Sequence, residues 1–197
     1  MGFEAREAIF SDLWGVSESK YIVPRYQREY SWKVDNLVTF WSDLHDEEEF
    51  FFGSVVLKKP ESRNTRIEII DGQQRMLTMT MLYAAIRDVH DDIGAEDKGN
   101  HIHNTRIHKQ TSLRGGYFII QPTIGLKDYF ERSVQSRNPD FNNPVTKEHK
   151  RVKRNYQWFK KKIKELLVHD SLEANLDVLA DLDDQIRSMQ IIRILVD

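Results

Sequence analysis

The sequence contains no cysteine, which excludes a disulfide framework and any chemistry that needs a thiolate. Net charge is nearly absent too: 29 lysines and arginines against 31 aspartates and glutamates leave −2. No global field therefore draws the chain to nucleic acid or to an anionic membrane, and any such contact must come from a local patch. No apolar run is long enough to span a bilayer, and no signal-peptide core stands at the N-terminus. These absences fit a cytoplasmic protein with no membrane partner. There is no internal repeat and no low-complexity tract. What is left, 197 residues of ordinary globular composition, suffices for one domain or one and a half with a sizeable core.

One stretch organises the rest: Ile67–Val89, IEIIDGQQRMLTMTMLYAAIRDV. Ile67, Ile69 and Ile70 favour an extended backbone. Met76 to Val89 is apolar on almost every helical face, as in a helix surrounded by protein. Between them stand Asp71, Gly72, Gln73, Gln74 and Arg75, poor material for a core. A strand that turns through glycine into a buried helix leaves the first helical N–H groups without intrahelical partners, which makes an anion site. Gly72 lets backbone approach a phosphate, and Arg75 adds a forked charge suited to one. The same five residues also read as a plain structural corner, with Asp71 as N-cap, Gly72 for the turn and Arg75 paired to a carboxylate.

Ahead of that stretch, Phe3–Ala8 reads as a strand, Ile9–Trp14 as a short helix stopped at Gly15, and Tyr21–Val23 as a strand ended by Pro24. Arg25, Tyr26, Gln27, Arg28, Tyr30 and Trp32 follow, rings interleaved with bidentate donors, suited to a base beside a phosphate. The alternative is that Tyr26, Tyr30 and Trp32 anchor the core. Ser31 is placed to cap a helix over Val34–His45 with Leu37, Phe40, Trp41 and Leu44 inward; the acidic run Asp46–Glu49 ends it. Phe50–Lys58 and Thr65–Ile70 form a hairpin that delivers its second strand into DGQQR, with Gly53 at a bulge or a close backbone approach.

From Gly94 to Gly116 the composition turns polar, which predicts a crossing loop and a boundary between a core at 1–93 and a mainly helical part at 117–197. His101 and His103 in HIH would share one side of a strand, but no carboxylate or cysteine stands at metal-ligand spacing. Tyr117–Gln121 reads as a strand and Leu126–Val134 as a helix. In Thr146–Val168, Val152, Tyr156, Phe159, Ile163 and Leu166 form one apolar seam. Lys147, Lys150, Arg151, Lys153, Arg154, Lys160, Lys161, Lys162 and Lys164 occupy the other faces, so this helix is a candidate for DNA phosphates. Its alternative is a solvated face balanced by the acidic helix Glu173–Asp184, whose core stripe is Leu172, Leu176, Leu179 and Leu182. Met189–Val196 is a terminal strand with no element after it, as in the first part of a longer protein.

Three segments together carry a likeness. Ile22-Val23-Pro24-Arg25-Tyr26-Gln27-Arg28-Glu29-Tyr30-Ser31-Trp32, then Phe52-Gly53-Ser54, then Ile70-Asp71-Gly72-Gln73-Gln74-Arg75-Met76-Leu77-Thr78 resemble the DGQQR-motif domain at the N-terminus of GmrSD-type, modification-dependent restriction enzymes and related phage-defence proteins. Val23 replaces the family's usual isoleucine, a change without chemical consequence. The motifs cover about the first 90 residues.

The resemblance implies an α+β fold, a small ParB/sulfiredoxin-like mixed sheet with packed helices followed by a mainly helical part. It implies binding and hydrolysis of a nucleoside triphosphate with Mg²⁺, DNA as a partner, modified or not, and an HNH-type nuclease domain in the same or a partner chain. That nuclease pattern is absent from these residues, as are the sulfiredoxin cysteine and a Walker-type GxxxxGK[ST]. Any hydrolysis therefore rests on the DGQQR turn. The N–H groups of Gly72, Gln73 and Gln74 are expected to hold phosphate, with Arg75 and Arg28 neutralising charge and Thr78 nearby. Asp71 is the candidate Mg²⁺ ligand or water-positioning group, with Glu68 behind it. Asp71, Gln73, Gln74 and Arg75 form the expected catalytic set. Tyr26 or Tyr30 stacks on the base, and Gln27 joins the nucleotide contacts. Lys150, Arg151, Arg154, Lys160 and Lys161 are the expected DNA contacts. A DNA-recognition module without nucleotide turnover and a purely structural corner are the competing readings.

Overall fold

In a computed structural model, which describes residues 2–14, 20–46, 49–58, 66–110, 115–167 and 170–197, the β-branched runs gather into one mixed sheet that packs with the mostly apolar helix after Gly72. In chain order the elements are β1 (Phe3–Ile9), α1 (Phe10–Leu13), β2 (Lys20–Ile22), α2 (Val34–Asp46), β3 (Phe51–Lys58), β4 (Arg66–Asp71), α3 (Gln73–Asp92) and α4 (Glu96–Ile102). After a π-helical turn at His103–Ile107 come β5 (His108–Lys109), β6 (Tyr117–Phe118), β7 (Ile120–Gln121), α5 (Ile124–Phe130), a second π-helical turn at Glu131–Gln135, α6 (Lys147–Leu166), α7 (Leu172–Ser188) and β8 (Gln190–Val196).

The six-stranded sheet has the order β1-β8-β3-β4-β2-β7, and β5 pairs with β6 apart from it. The fold is thus α+β with a mixed sheet. β8 lies between β1, antiparallel, and β3, parallel. Its apolar sequence suits a strand with neighbours on both sides, and the sheet draws on both ends of the chain. Every α3 residue from Gln73 to His90 is buried except Arg75, the polar Thr78, Thr80, Arg87, Asp88 and His90 together with the apolar majority. α6 and α4 pack against it; in the α6 seam Val152, Tyr156, Phe159 and Ile163 are buried as their spacing required, while Leu166 near the helix end is half-buried.

Several elements differ from the sequence expectation. The polar stretch after Gly94 is not a loop: α4 and the π-helical turn occupy it, with Ile102 and Ile107 buried. Two apolar side chains among many polar ones suffice to dock a short helix, and that signal is too thin for periodicity to register. Residues 111–114 of the stretch lie outside the described residues. The strand expected at Tyr117–Gln121 is two strands, one pairing β5 and the other joining β2. Leu172 is exposed and Leu176 only half-buried, so the α7 stripe is Leu179, Leu182 and Ile186, rotated along the helix. α2 begins at Val34, and Ser31 does not cap it; Asn36 instead accepts the Lys33 N–H at 2.9 Å. The ends Thr65 and Val168 and part of the acidic run, residues 47–48, lie outside the described residues.

Candidate functional site

Gly72 stands between β4 and α3 as the helix N-cap, with φ of 96°. That left-handed conformation favours glycine, and a Cβ there would meet Val55 Cγ2 at 3.2 Å. The structural reading with Asp71 as N-cap is thereby corrected: Asp71 is the last residue of β4, with no side-chain cap on the helix. The first helical bond runs from Met76 N–H to Gly72 O at 3.0 Å. The N–H groups of Gln73, Gln74 and Arg75 thus precede the intrahelical ladder. A cleft of about 290 Å³ opens over this turn, lined by Gln27, Arg28, Trp32, Asp71, Gly72, Gln73, Gln74 and Arg75.

Two segments far apart in sequence form this cleft because amides clamp them together. Gln27 Nε2 donates to Ile70 O at 2.7 Å, Gln73 Nε2 to Arg28 O at 3.0 Å and Gln74 Nε2 to Glu29 O at 3.1 Å. Gln74 Oε1 accepts the Ser31 N–H at 2.7 Å. Gln74 is satisfied at both ends. Gln73 is not: its Oε1 is buried without a hydrogen-bond partner among the described residues. The two adjacent amides therefore differ in kind. Gln74 is a tie between segments, whereas Gln73 keeps a free acceptor beside the helix N-terminus.

Arg75 is held by the sheet. Its Nη2 donates to Ser54 O and lies 3.6 Å from Asp71 Oδ2. The backbone of Gly53, where β3 shifts register against β8, passes against the guanidinium. Gly53 thus serves as both bulge and close approach, and what approaches is Arg75. Asp71 keeps a side chain 67% exposed at the cleft mouth. Glu68, exposed in β4, does not line the cleft.

Tyr30 and Thr78 are not brought to the cleft. Both are buried, and their hydroxyls bond to each other at 2.8 Å. Asn155 Nδ2 donates to Tyr30 Oη at 3.0 Å and to Trp32 O at 2.9 Å, while Glu148 accepts the Tyr30 N–H at 2.6 Å. Burial pushes the Tyr30 hydroxyl up to about 12, so the ring is a neutral anchor that pins the arginine-rich segment to α3 and α6. Tyr26 is 71% exposed, and Trp32 forms part of the cleft wall. Of the three rings weighed between base stacking and core, Trp32 is the one that lines the cleft; sequence reasoning missed Glu148 and Asn155 as positioning residues. No local signal marks those two, because their contacts with Tyr30 span 118 and 125 residues.

The cations of α6 fall into two groups. Toward its C-terminus Lys160 and Lys164 pair with Asp92 at 2.9 and 2.7 Å, and Lys161 and Lys162 with Glu165. The partners are α3 and α6 carboxylates, not the acidic helix α7, whose Asp183 pairs with Arg106. Near the α6 N-terminus, Lys147, Lys150, Arg151 and Arg154 join Lys33 in an open groove of about 530 Å³. No carboxylate among the described residues lies within ion-pair distance of these five. Lys33 was not anticipated.

His101 is in α4 and His103 in the π-helical turn, so the two share no strand. Among the described residues no group of three or more His, Asp or Glu side chains is placed to hold a metal. No described helix is long and apolar enough to cross a membrane.

With this geometry in view, the family described as GmrSD restriction endonuclease, N-terminal domain, matches residues 10–197. The chain belongs to that family. As a GmrSD N-terminal domain its role lies with restriction and phage defence. No curated protein matches it.

Proposed function

We propose that this GmrSD N-terminal domain binds a nucleoside triphosphate and hydrolyses it at the Gly72 turn. The observation that carries the reading is the buried Gln73 Oε1, unpartnered among the described residues, beside a left-handed glycine at the start of a 20-residue helix. A buried acceptor without a partner is costly, by about 1–3 kcal/mol, and a bound water or ligand N–H removes that cost. Free N–H groups and the helix dipole favour the phosphates, and Arg28, exposed on the wall, adds charge. At about 290 Å³ the cleft suits a triphosphate tail. The nucleoside then lies outward against Trp32 or the exposed Tyr26. In this reading Gln73 Oε1 orients the attacking water, a contact made mainly in the transition state.

Asp71 fits Mg²⁺ as a single exposed carboxylate, since Mg²⁺ commonly takes one protein carboxylate with phosphate oxygens and water. When bound, the ion neutralises charge on the phosphates. Arg75, braced by Ser54 O, holds the turn in place beneath them.

DNA contact is a second reading with its own observation, the five cations of the α6 groove that have no carboxylate within ion-pair distance among the described residues. Lysines dominate it, so it favours phosphate contact over base reading. An HNH-type nuclease, in the same or a partner chain, would supply the cut. The deciding experiment is melting temperature across ATP, GTP, CTP and UTP with Mg²⁺, together with phosphate release. Ligand at 100 times its Kd adds about 2.7 kcal/mol. No shift with any of the four overturns the nucleotide reading and leaves the DNA reading standing.

A further inference from the structure

We propose that the cavity between the end of α3, α4 and the first turns of α7 is a binding site for a small organic ammonium ion. It measures about 380 Å³, within the range of small-molecule sites. Its position is the far end of α3 from Gly72, about 30 Å away for a helix of 20 residues. The site is therefore separate from the proposed nucleotide cleft.

Three features of the walls define the ligand. Leu176 and Leu179 supply an apolar floor, and Glu173, Asp177 and Asp183 supply three carboxylates against the single ammonium of Lys98. Asp183 is already engaged by Arg106 at 3.1 Å, which leaves Glu173 and Asp177, both exposed, as the available anions. His90 is the third feature. It sits in the last turn of α3, only 6% exposed, and its Nδ1 lies 2.9 Å from Ile86 O. A carbonyl only accepts, so Nδ1 carries the hydrogen and Nε2 of the neutral ring is an acceptor. Burial lowers the His90 pKa, against the opposing pull of Asp91, Asp183 and Asp97, and so favours that neutral ring. His90 is one of the residues that line the cavity, and Nε2 is the acceptor its neutral ring offers there.

An imidazole acceptor beside carboxylates and leucines asks for one particular chemistry. The ligand needs N–H donors and a positive charge at one end, with a hydrocarbon body at the other. An ammonium ion on an alkyl chain meets all three, with the negative end of the α3 dipole adding to its attraction. A bare divalent metal does not, because no cluster of three or more ligating side chains forms here among the described residues. A neutral alcohol would fill the floor and leave the carboxylates unused.

The test is NMR titration of the full chain with n-hexylamine, protonated at neutral pH, against n-hexanol, read on the Leu176 and Leu179 methyl resonances. The ammonium should shift both saturably, with the alcohol about tenfold weaker, the scale of one charge-assisted hydrogen bond. Glu173→Gln combined with Asp177→Asn should bring the two probes to equal affinity, and His90→Phe should weaken the ammonium about tenfold. If His90→Phe does not fold, the double variant on exposed positions still decides. Equal affinities in the unmodified protein, or ammonium binding untouched by the double variant, overturn the assignment.

Discussion

Gly53 and Arg75 are packed so closely that a Cβ on Gly53 would stand 3.1 Å from Arg75 Nη1 and 3.2 Å from its Cζ. The same glycine has φ of 107°. Gly53→Ala therefore both strains the backbone and displaces the guanidinium from Ser54 O, at a cost of about 1–3 kcal/mol. Arg75→Ala should recover part of that loss, because the added methyl then has room. A double-mutant cycle by urea denaturation measures the coupling, and strictly additive effects would show that the two do not share this space.

Gln73 and Gln74 should respond unequally to truncation. Gln74→Ala breaks bonds to Glu29 O and Ser31 N and should cost about 1–3 kcal/mol without any ligand. Gln73→Ala loses one bond to Arg28 O and removes an orphaned acceptor, so its stability effect should be smaller. Its effect should appear in nucleotide turnover, with kcat lowered more than affinity. Melting temperature, nucleotide Kd and kcat for both variants decide this, and matching behaviour in all three contradicts the division.

Glu148 gives a pH signature. Burial raises its pKa, chiefly through desolvation, against the Tyr30 N–H bond and the Arg151 charge that lower it. The folded state therefore holds this proton more tightly than the unfolded chain. The stabilisation is complete below the ordinary carboxylate range and is lost as pH rises through the folded value. Glu148→Gln keeps an acceptor for Tyr30 and removes the titration. The stability of the unmodified protein relative to this variant should thus fall as pH rises from about 4 toward 7. Unfolding free energies at several pH values check it; taking the difference cancels groups common to both proteins. A flat difference would mean that Glu148 does not titrate differently on folding.

The two halves of α6 should separate in DNA binding. Glutamate at Lys147, Lys150 and Arg154 should weaken binding and lower the salt slope by about 0.9 per lost phosphate contact. Glutamate at Lys160, Lys161 and Lys162 should leave affinity nearly unchanged, and destabilise through repulsion from Asp92 and Glu165. Fluorescence anisotropy at several salt concentrations distinguishes them, and equal losses in both variants would remove the groove from the argument.

What the sequence by itself determined is local. The turn at Gly72, the burial of α3 on every face and the seam of α6 follow from backbone sterics and side-chain period, which act over a few residues. The approach at Gly53 was legible for the same reason, since a lone glycine in a strand marks crowding, although its neighbour was not. The tertiary structure decided which polar residues line the cleft at Gly72. Tyr30 and Thr78 looked available and became a buried pair, while Gln73, indistinguishable from Gln74 in composition, kept the free acceptor. It also divided one basic helix into a paired half and an unpaired half, and turned a polar stretch into α4. The side-chain hydrogen bonds that fix segment 27–32 against β4, α3 and α6 join groups from 43 to 125 residues apart, a separation over which a one-dimensional pattern carries no signal.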